Sequence, residues 1–211
     1  MSDEARNFRL SKDVLPSRYE LRFELEFDTW TSTGRERITL RTSHPTREIV
    51  LHALDLDIQN ATLDGVVARN TTYDVEAQTA TLRFERVMPP GEHTLEISWV
   101  GGIRESLRGL YRSLRGEERY AATQFEAADA RRAFPCFDEP EFKARFGLEL
   151  VHPADNAAIA NMPIFTAPRR ATMNIPKTND SGNKRLLAKP FGSVARSPII
   201  SELLIVLPPI P

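Results

Sequence analysis

The sequence has few residues that could cross-link a domain through a disulfide or a bound metal ion, since its 211 residues include one cysteine and four histidines. Cys136 has no partner within the chain, so no internal disulfide can form and nothing points to an oxidising compartment. Long apolar runs are also missing. The first sixteen residues contain no apolar run of signal-peptide length. The longest apolar stretch (199–207) is broken by Ser201 and Glu202 and is far shorter than the ~20 residues of a membrane-spanning helix. We therefore predict a cytoplasmic chain without a membrane span.

An excess of charge of one sign is absent as well. The chain has 28 basic and 29 acidic residues and a net charge of -1, which argues against an electrostatic nucleic-acid binder. With 41% hydrophobic and 27% charged residues, the composition is that of an ordinary globular domain. Residues 166–211 differ, because they hold seven basic residues, two acidic ones and seven of the 15 prolines. We predict a folded domain over 1–165 and a basic, Pro-rich tail over 166–211 whose composition allows disorder.

Alternation with a period of two dominates the first 150 residues. From Tyr19 to Phe27 apolar residues alternate strictly with charged ones, and Ile38 and Leu40 continue the pattern. Turn-forming residues at 31–34 suggest a hairpin between these two runs. In the run 49–58 the apolar parity changes near Ala53, which indicates a bulge or a bend.

Further turn signals separate the later strands. Asp64-Gly65 is a tight-turn dipeptide, a Pro-Pro-Gly break occupies 89–91, and Gly101-Gly102 ends another alternating run in which Trp99 takes a buried position. Short strands at this spacing, with one buried and one solvated face, predict a mainly β antiparallel sandwich or saddle-shaped sheet. Long helices and internal repeats are absent from the pattern.

Residues 124–140 (QFEAADARRAFPCFDEP) do not follow this alternation. Asp129 is a candidate N-cap for a short helical turn through Ala133, and Pro135 stops that turn. We expect a strand, one helical turn and then an irregular loop. Such a segment belongs either to a structural corner or to a functional site.

The run TQFEAADARRAFPCFDEPEFKARF, residues 123–146, resembles the signature that ends the first domain of the aminopeptidase N family of zinc aminopeptidases; we call it the signature segment. Other pieces match in the same order. LPSRYEL (15–21) and IVLHALDLDI (49–58) are similar to the family's first and third strands, GLYRS (109–113) to the piece before the signature, and Asn161-Met162-Pro163 to the piece after it. The resemblance covers residues 10 to 165.

This resemblance implies a fold and a site. The family's first domain is a saddle-like antiparallel β-sandwich that packs on a thermolysin-like catalytic domain. Its Q-x-E pair, matched here by Gln124 and Glu126, helps to bind the free amine of the peptide substrate. The chemistry agrees, because residues i and i+2 of a strand share a face and a carboxylate with an amide can hold an ammonium group.

Other polar residues of the signature segment have a structural interpretation. We expect these to form internal ion pairs and caps that shape the loop: Asp129, Arg131, Arg132, Asp138 and Glu139. Cys136 is interpreted as a small buried hydrophobic residue. A nucleophilic Cys136 would need a histidine partner, and His152, the nearest in sequence, lies in an ordinary strand end.

The family's zinc site has no counterpart in this sequence. That site needs an H-E-x-x-H helix, a downstream glutamate and a G-x-M-E-N loop. None of the histidines (His44, His52, His93 and His152) is followed by Glu or by a second histidine four residues on. We therefore predict no metal ligand and no catalytic residue in this chain, with zinc held only by the intact parent enzyme.

The leading hypothesis is thus the N-terminal domain of a zinc aminopeptidase, truncated or frame-shifted after about residue 165 and inactive alone. Its partners would be a peptide N-terminus, bound weakly, and the parent's catalytic domain. The alternative is a stand-alone β-sandwich interaction module, and a carbohydrate-binding sandwich has little support because Trp30 and Trp99 are not clustered with other aromatics. The apolar run 199–207 would be an exposed, aggregation-prone segment unless it docks.

Overall fold

The computed structural model describes residues 9–153 and 156–160, together with strands at 164–165, 183–188 and 205–207. The strands are β1 (Val14–Glu26), β2 (Thr31–Thr42), β3 (Thr46–His52), β4 (Leu56–Leu63), β5 (Val66–Asp74), β6 (Thr79–Met88), β7 (Gly91–Gly102), β8 (Gly109–Arg115), β9 (Glu118–Gln124), β10 (Arg145–Pro153), β11 (Ala157–Ile159), β12 (Ile164–Phe165), β13 (Asn183–Ala188) and β14 (Ile205–Leu207). Within these residues the helical structure is a single 3-10 turn at Ala130–Arg132.

The strands form two sheets. The larger one has the order β12-β13-β10-β1-β2-β7-β4-β5-β6-β3 and the smaller one β11-β14-β9-β8. β5 pairs with β4 only at its start and with β6 along the rest of its length, which lets the large sheet curl over itself. β1 and β10 are parallel, and the other paired strands in the described residues are antiparallel. The predicted mainly β, sandwich-like fold with one short helical turn is confirmed.

The first hairpin is confirmed, but its turn lies earlier than predicted. β1 and β2 pair up to Glu26↔Thr31, so the turn occupies residues 27–30 and Trp30 takes a positive φ of 53°. Residues 31–34, predicted as the turn, are instead the first residues of β2. Gly34 is needed there for another reason, because a Cβ at this position would overlap the indole of Trp99 on the neighbouring strand β7.

The parity change near Ala53 is a bend rather than a bulge. β3 ends at His52 and pairs with β6, whereas β4 starts at Leu56 and pairs with β7; between them Asp55 has a φ of 61°. The Asp64-Gly65 turn is confirmed, with φ of 49° and 79° between the paired Leu63 and Val66. Both angles are positive, as in the tight turns that suit the twist of a hairpin.

Aromatic side chains from the larger sheet and from the signature segment fill the core. Trp99 is buried as predicted, and its ring lies edge-on to Phe23 at 5.8 Å between centroids. Phe134 of the signature segment meets Tyr19, Phe23 and Phe125 with centroids about 6 Å apart. The signature segment is therefore packed into the core rather than laid over the surface.

The segment predicted as a tail contributes two strands. β13 pairs with β10, and β14 lies between β9 and β11. The other residues of 166–211, and Asn161-Met162-Pro163 before them, lie outside the described residues, so the division into 1–165 and 166–211 stays a prediction. No helix in the described part of the chain has the length and apolar character needed to cross a membrane.

Candidate functional site

Gln124 and Glu126 lie at the end of β9, where the strand leads into a turn of the signature segment at residues 125–129. Gln124 is the last residue of β9 and pairs with Gly109 of β8. Thr123 and Phe125 are buried, at 7% and 2% exposure, while Gln124 is half-buried and Glu126 is exposed. The two candidate residues therefore share the accessible side of the backbone.

Glu126 is not part of the strand, which differs from the sequence-based expectation. β9 ends at Gln124, and the turn that follows is closed by the Asp129 amide, which donates to the Phe125 carbonyl at 2.9 Å. The peptide bond between Glu126 and Ala127 is cis. Pairing with β8 ends at Gly109↔Gln124, so the strand stops here, while the alternation of exposure continues through the buried Phe125 to Glu126.

Gly109 of β8 allows the turn to approach. Its φ is +67°, and a Cβ there would lie 2.5 Å from the Cβ of Arg132 and 3.2 Å from the carbonyl oxygen of Asp129. A side chain at this position would push the helical turn away from β8. The GLYRS piece thus has a packing role beside Gln124, since it pairs along β9 and makes room for the turn.

The helical turn is present but is not capped as predicted. Asp129 occupies the N-cap position, yet its side chain makes no capping hydrogen bond. Instead, its Oδ1 accepts from Nε of Arg132 at 2.9 Å. The arginine three residues on offers a charged donor, which competes successfully with the backbone amides for this carboxylate.

Arg131 and Asp138 form a buried ion pair that closes the loop. Nε of Arg131 donates to Oδ2 of Asp138 at 2.9 Å, with side-chain exposures of 12% and 1%. Burial raises the pKa of Asp138 above its usual range, although the Arg131 contact opposes the shift. Glu139 accepts the Leu10 amide at 3.0 Å. The predicted structural role of these charged residues is confirmed.

Hydrogen bonds join the signature segment to the curled sheet. His52 and Cys136 exchange backbone hydrogen bonds at 2.8 and 2.9 Å, and the Asp138 amide donates to Nδ1 of His52 at 3.2 Å. The Leu54 amide donates to the Arg131 carbonyl at 2.9 Å. Residues 133–139 are all buried, so the loop is a structural corner with the accessible pair Gln124 and Glu126 at its start.

Cys136 is buried in this corner, as predicted. It is 3% exposed, and burial raises the pKa of its thiol well above the usual range, with further contributions from Asp138 and Glu36. A thiol that stays protonated in an apolar setting is a poor nucleophile. The geometry agrees with a packing role.

Glu36 is a buried carboxyl that the sequence-based interpretation missed. It lies on β2 between Leu21 and Ile97, is 4% exposed, and neither carboxyl oxygen has a hydrogen-bond partner among the described residues. Burial alone raises its pKa well above the usual range. The available signal was parity, because Glu36 shares the inward face with Ile38 and Leu40.

The histidines are dispersed, and their contacts are structural. Nδ1 of His93 lies 2.6 Å from Oδ2 of Asp64 and its Nε2 lies 2.8 Å from the Pro89 carbonyl; burial lowers the pKa of His93, but these hydrogen bonds outweigh it and the net shift is upward. His44 pairs with Asp13 at the surface. Within the described residues no three His, Cys, Asp or Glu side chains are grouped to hold a metal ion. The described residues therefore do not form a site that fits the family's zinc.

Comparison with known proteins identifies the family. The Peptidase M1 N-terminal domain matches residues 15–175, which is most of the chain. The chain therefore belongs to the M1 peptidase family and contains its N-terminal domain, as the signature segment predicted.

The relatives are aminopeptidases. Aminopeptidase M1-C of Oryza sativa subsp. japonica is 39% identical over 162 residues, which are 74% of this chain and 18% of that protein. Aminopeptidase N of Acetobacter pasteurianus is 38% identical over 169 residues, 78% of this chain and 48% of that protein. Aminopeptidase M1 of Arabidopsis thaliana is 35% identical over 185 residues, 82% of this chain and 21% of that protein. The chain thus spans between about a fifth and a half of these relatives.

Proposed function

We propose that this domain contributes free-amine recognition to a zinc metallo-aminopeptidase that removes N-terminal amino acids from peptides. Gln124 and Glu126 are the proposed amine-binding residues. One observation supports the proposal: Gln124 and Glu126, which resemble the family's Q-x-E pair, are both accessible, on either side of the buried Phe125. We place the zinc of the intact enzyme outside this domain; none of the described residues is grouped as a metal site.

The chemistry of the pair suits an ammonium group. Glu126 offers a carboxylate in an exposed turn, and the half-buried Gln124 two residues before it offers a neutral amide acceptor. An internal peptide bond presents no ammonium to bind. Recognition at this position would therefore favour removal of the first residue over internal cleavage.

Precise placement of the pair would come from the corner that follows it. The Asp129–Phe125 backbone hydrogen bond closes the turn, and the buried Arg131–Asp138 pair holds the loop against the sheet. A site held by packed side chains loses little conformational freedom when it binds a ligand. This arrangement supports a fixed recognition element.

The proposed partner is the catalytic domain of the same enzyme, because the relatives extend well beyond the region that this chain matches. Alone, the chain is proposed to be inactive and to bind an amine weakly, in the millimolar range expected of one or two charge-assisted hydrogen bonds. A cytoplasmic location remains part of the proposal.

Amine binding is tested by NMR titration of the chain with leucine amide, which has a free amine, and with N-acetyl-leucine amide, which does not. We expect shifts confined to residues 124–129 with the first ligand only. Glu126→Gln should remove them, whereas Glu85→Gln, an exposed carboxyl on a distant strand, should leave them unchanged. Amine recognition would be refuted if both ligands gave equal shifts. It would also be refuted if leucine amide shifted Glu126→Gln as much as the wild type.

Catalytic inactivity is tested with a panel of aminoacyl fluorogenic substrates and added zinc. We expect no turnover above the blank and no zinc retained after dialysis. Turnover that a chelator abolishes would show that a metal site exists in this chain. Capture of a defined protein partner, without any amine-dependent shift in the titration, would favour the interaction-module alternative.

A further inference from the structure

The two edges of β9 are covered very differently. On one edge β8 pairs along the whole strand, from Glu118 to Gln124. On the other edge the register of β14 covers Ala121 and Ala122. β14 in turn pairs with all three residues of β11, so a three-residue strand fills the space between β9 and β11.

The residues paired with β14 on both neighbouring strands are small. Register positions beside β14 are occupied by Ala121 and Ala122 on β9 and by Ala157 and Ala158 on β11. Ala121 is fully buried and the other three are half-buried.

The strand in the space has a sequence suited to it. Residues 205–207 are Ile-Val-Leu, an apolar tripeptide with two β-branched residues. It runs antiparallel to both neighbours, so its backbone amides and carbonyls can pair on both sides. Without it, β9 and β11 would each present an open edge, the kind of surface that captures extended segments.

We propose that the space between β9 and β11 is a strand-accepting site for a short apolar extended segment, occupied in this protein by Ile205–Leu207 of the same chain. The site recognises the occupant through antiparallel main-chain pairing on both sides. The sequence predicts that the apolar run 199–207 is exposed unless it docks. Its last three residues dock here, between β9 and β11.

The occupant also supports the strand that carries the candidate amine site. Ala122 lies two residues before Gln124 on β9. Pairing on both edges restrains β9 more than pairing on one edge. The strand-accepting site itself does not depend on amine binding, because its test measures backbone pairing only.

The experiment compares the full chain, a chain lacking residues 203–211, and a control chain that lacks only 208–211 and keeps β14. Hydrogen exchange of residues 118–124 is measured in each, and a labelled peptide with the sequence of residues 201–211 is titrated into each. We expect exchange to rise about tenfold or more when β14 is removed, and to change little in the control. The peptide should bind the chain without β14, restore protection there, and bind the two β14-containing chains at least about tenfold more weakly.

A substitution covers the case in which the shortened chain fails to fold. Val206→Pro in the full chain removes one backbone donor from β14 at unchanged length, and we expect faster exchange at 118–124 and binding of the added peptide. Equal exchange in all chains, or peptide binding that is independent of β14, would overturn the proposal. A dimer that exchanges its strands, seen by light scattering as a doubled mass, would overturn occupation within the same chain.

Discussion

Replacement of Glu36 by glutamine tests how the core holds an unpaired carboxyl. In the folded chain both carboxyl oxygens are buried without a hydrogen-bond partner among the described residues, whereas in the unfolded chain water solvates them. Burial therefore raises the pKa of Glu36 in the folded state. Because the folded state keeps a proton that the unfolded state releases, the wild-type protein loses stability as the pH rises from the unfolded pKa toward the folded one.

The size of the effect follows from this linkage. Above the ordinary glutamate pKa of ~4.3, each pH unit should cost the wild type about 1.4 kcal/mol of unfolding free energy until the folded pKa is reached. Glutamine keeps the shape and polarity but cannot ionise. Glu36→Gln should therefore match the wild type within about 1 kcal/mol near pH 4.5 and exceed it at higher pH by a margin that grows by up to about 1.4 kcal/mol per pH unit.

The measurement is urea unfolding at pH 4.5, 5.5, 6.5 and 7.5, followed by the fluorescence of Trp30 and Trp99. The matched control is Glu85→Gln, which removes an exposed carboxyl and should follow the wild-type curve at every pH. The reasoning is refuted if the wild-type and Glu36→Gln stabilities run parallel over this range. Parallel curves would mean that Glu36 has an ordinary pKa in the folded state.

Three further predictions concern a glycine of β8, the buried ion pair of the signature segment and a histidine of β7. Gly109→Ala should destabilise the fold by about 2 kcal/mol or more in thermal unfolding, because it combines a positive φ with a steric overlap; Gly116→Ala, at a similar φ of 61° but in open space, should cost only about 1 kcal/mol. Arg131→Ala should cost about 3 kcal/mol in urea unfolding by leaving the buried carboxylate of Asp138 unpaired, and a cost below 1 kcal/mol would contradict the pairing. The raised pKa of His93 gives stability that is complete below its unfolded pKa and is lost as the pH rises through the folded one, so His93→Gln should cost more stability at pH 6 than at pH 9.

Alternation predicted most of the sheet because one face of each strand packs on the core. The β1–β2 hairpin, the Asp64-Gly65 turn and the buried Trp99 follow directly from local sequence. The parallel pairing of β1 with β10 could not be predicted in this way. Alternation reports which face is buried, but it contains no information on which strand lies alongside.

The sequence-based interpretation failed at residues whose type allows more than one structural role. Gly34 looked like a turn residue, whereas it gives space to an indole on the neighbouring strand. Glu36 sits among arginines and received no interpretation from the sequence, although its parity is that of the core. For the candidate site, the family motif indicated Gln124 and Glu126, but the end of β9 before Glu126 depends on where pairing with β8 ends, at Gly109↔Gln124, which the local sequence does not report.

The parallel β1–β10 pair has a consequence for the order of folding. Arg22 and Glu149, neighbours across this pair, are separated by 127 positions in the sequence. During synthesis, β1 can form its hairpin with β2 early, but its second edge waits until β10 has left the ribosome. A contact of such high sequence separation closes slowly, so this seam should be among the last to form. Any nascent chain that stalls before residue 145 would present the open edge of β1 to chaperones or to other chains.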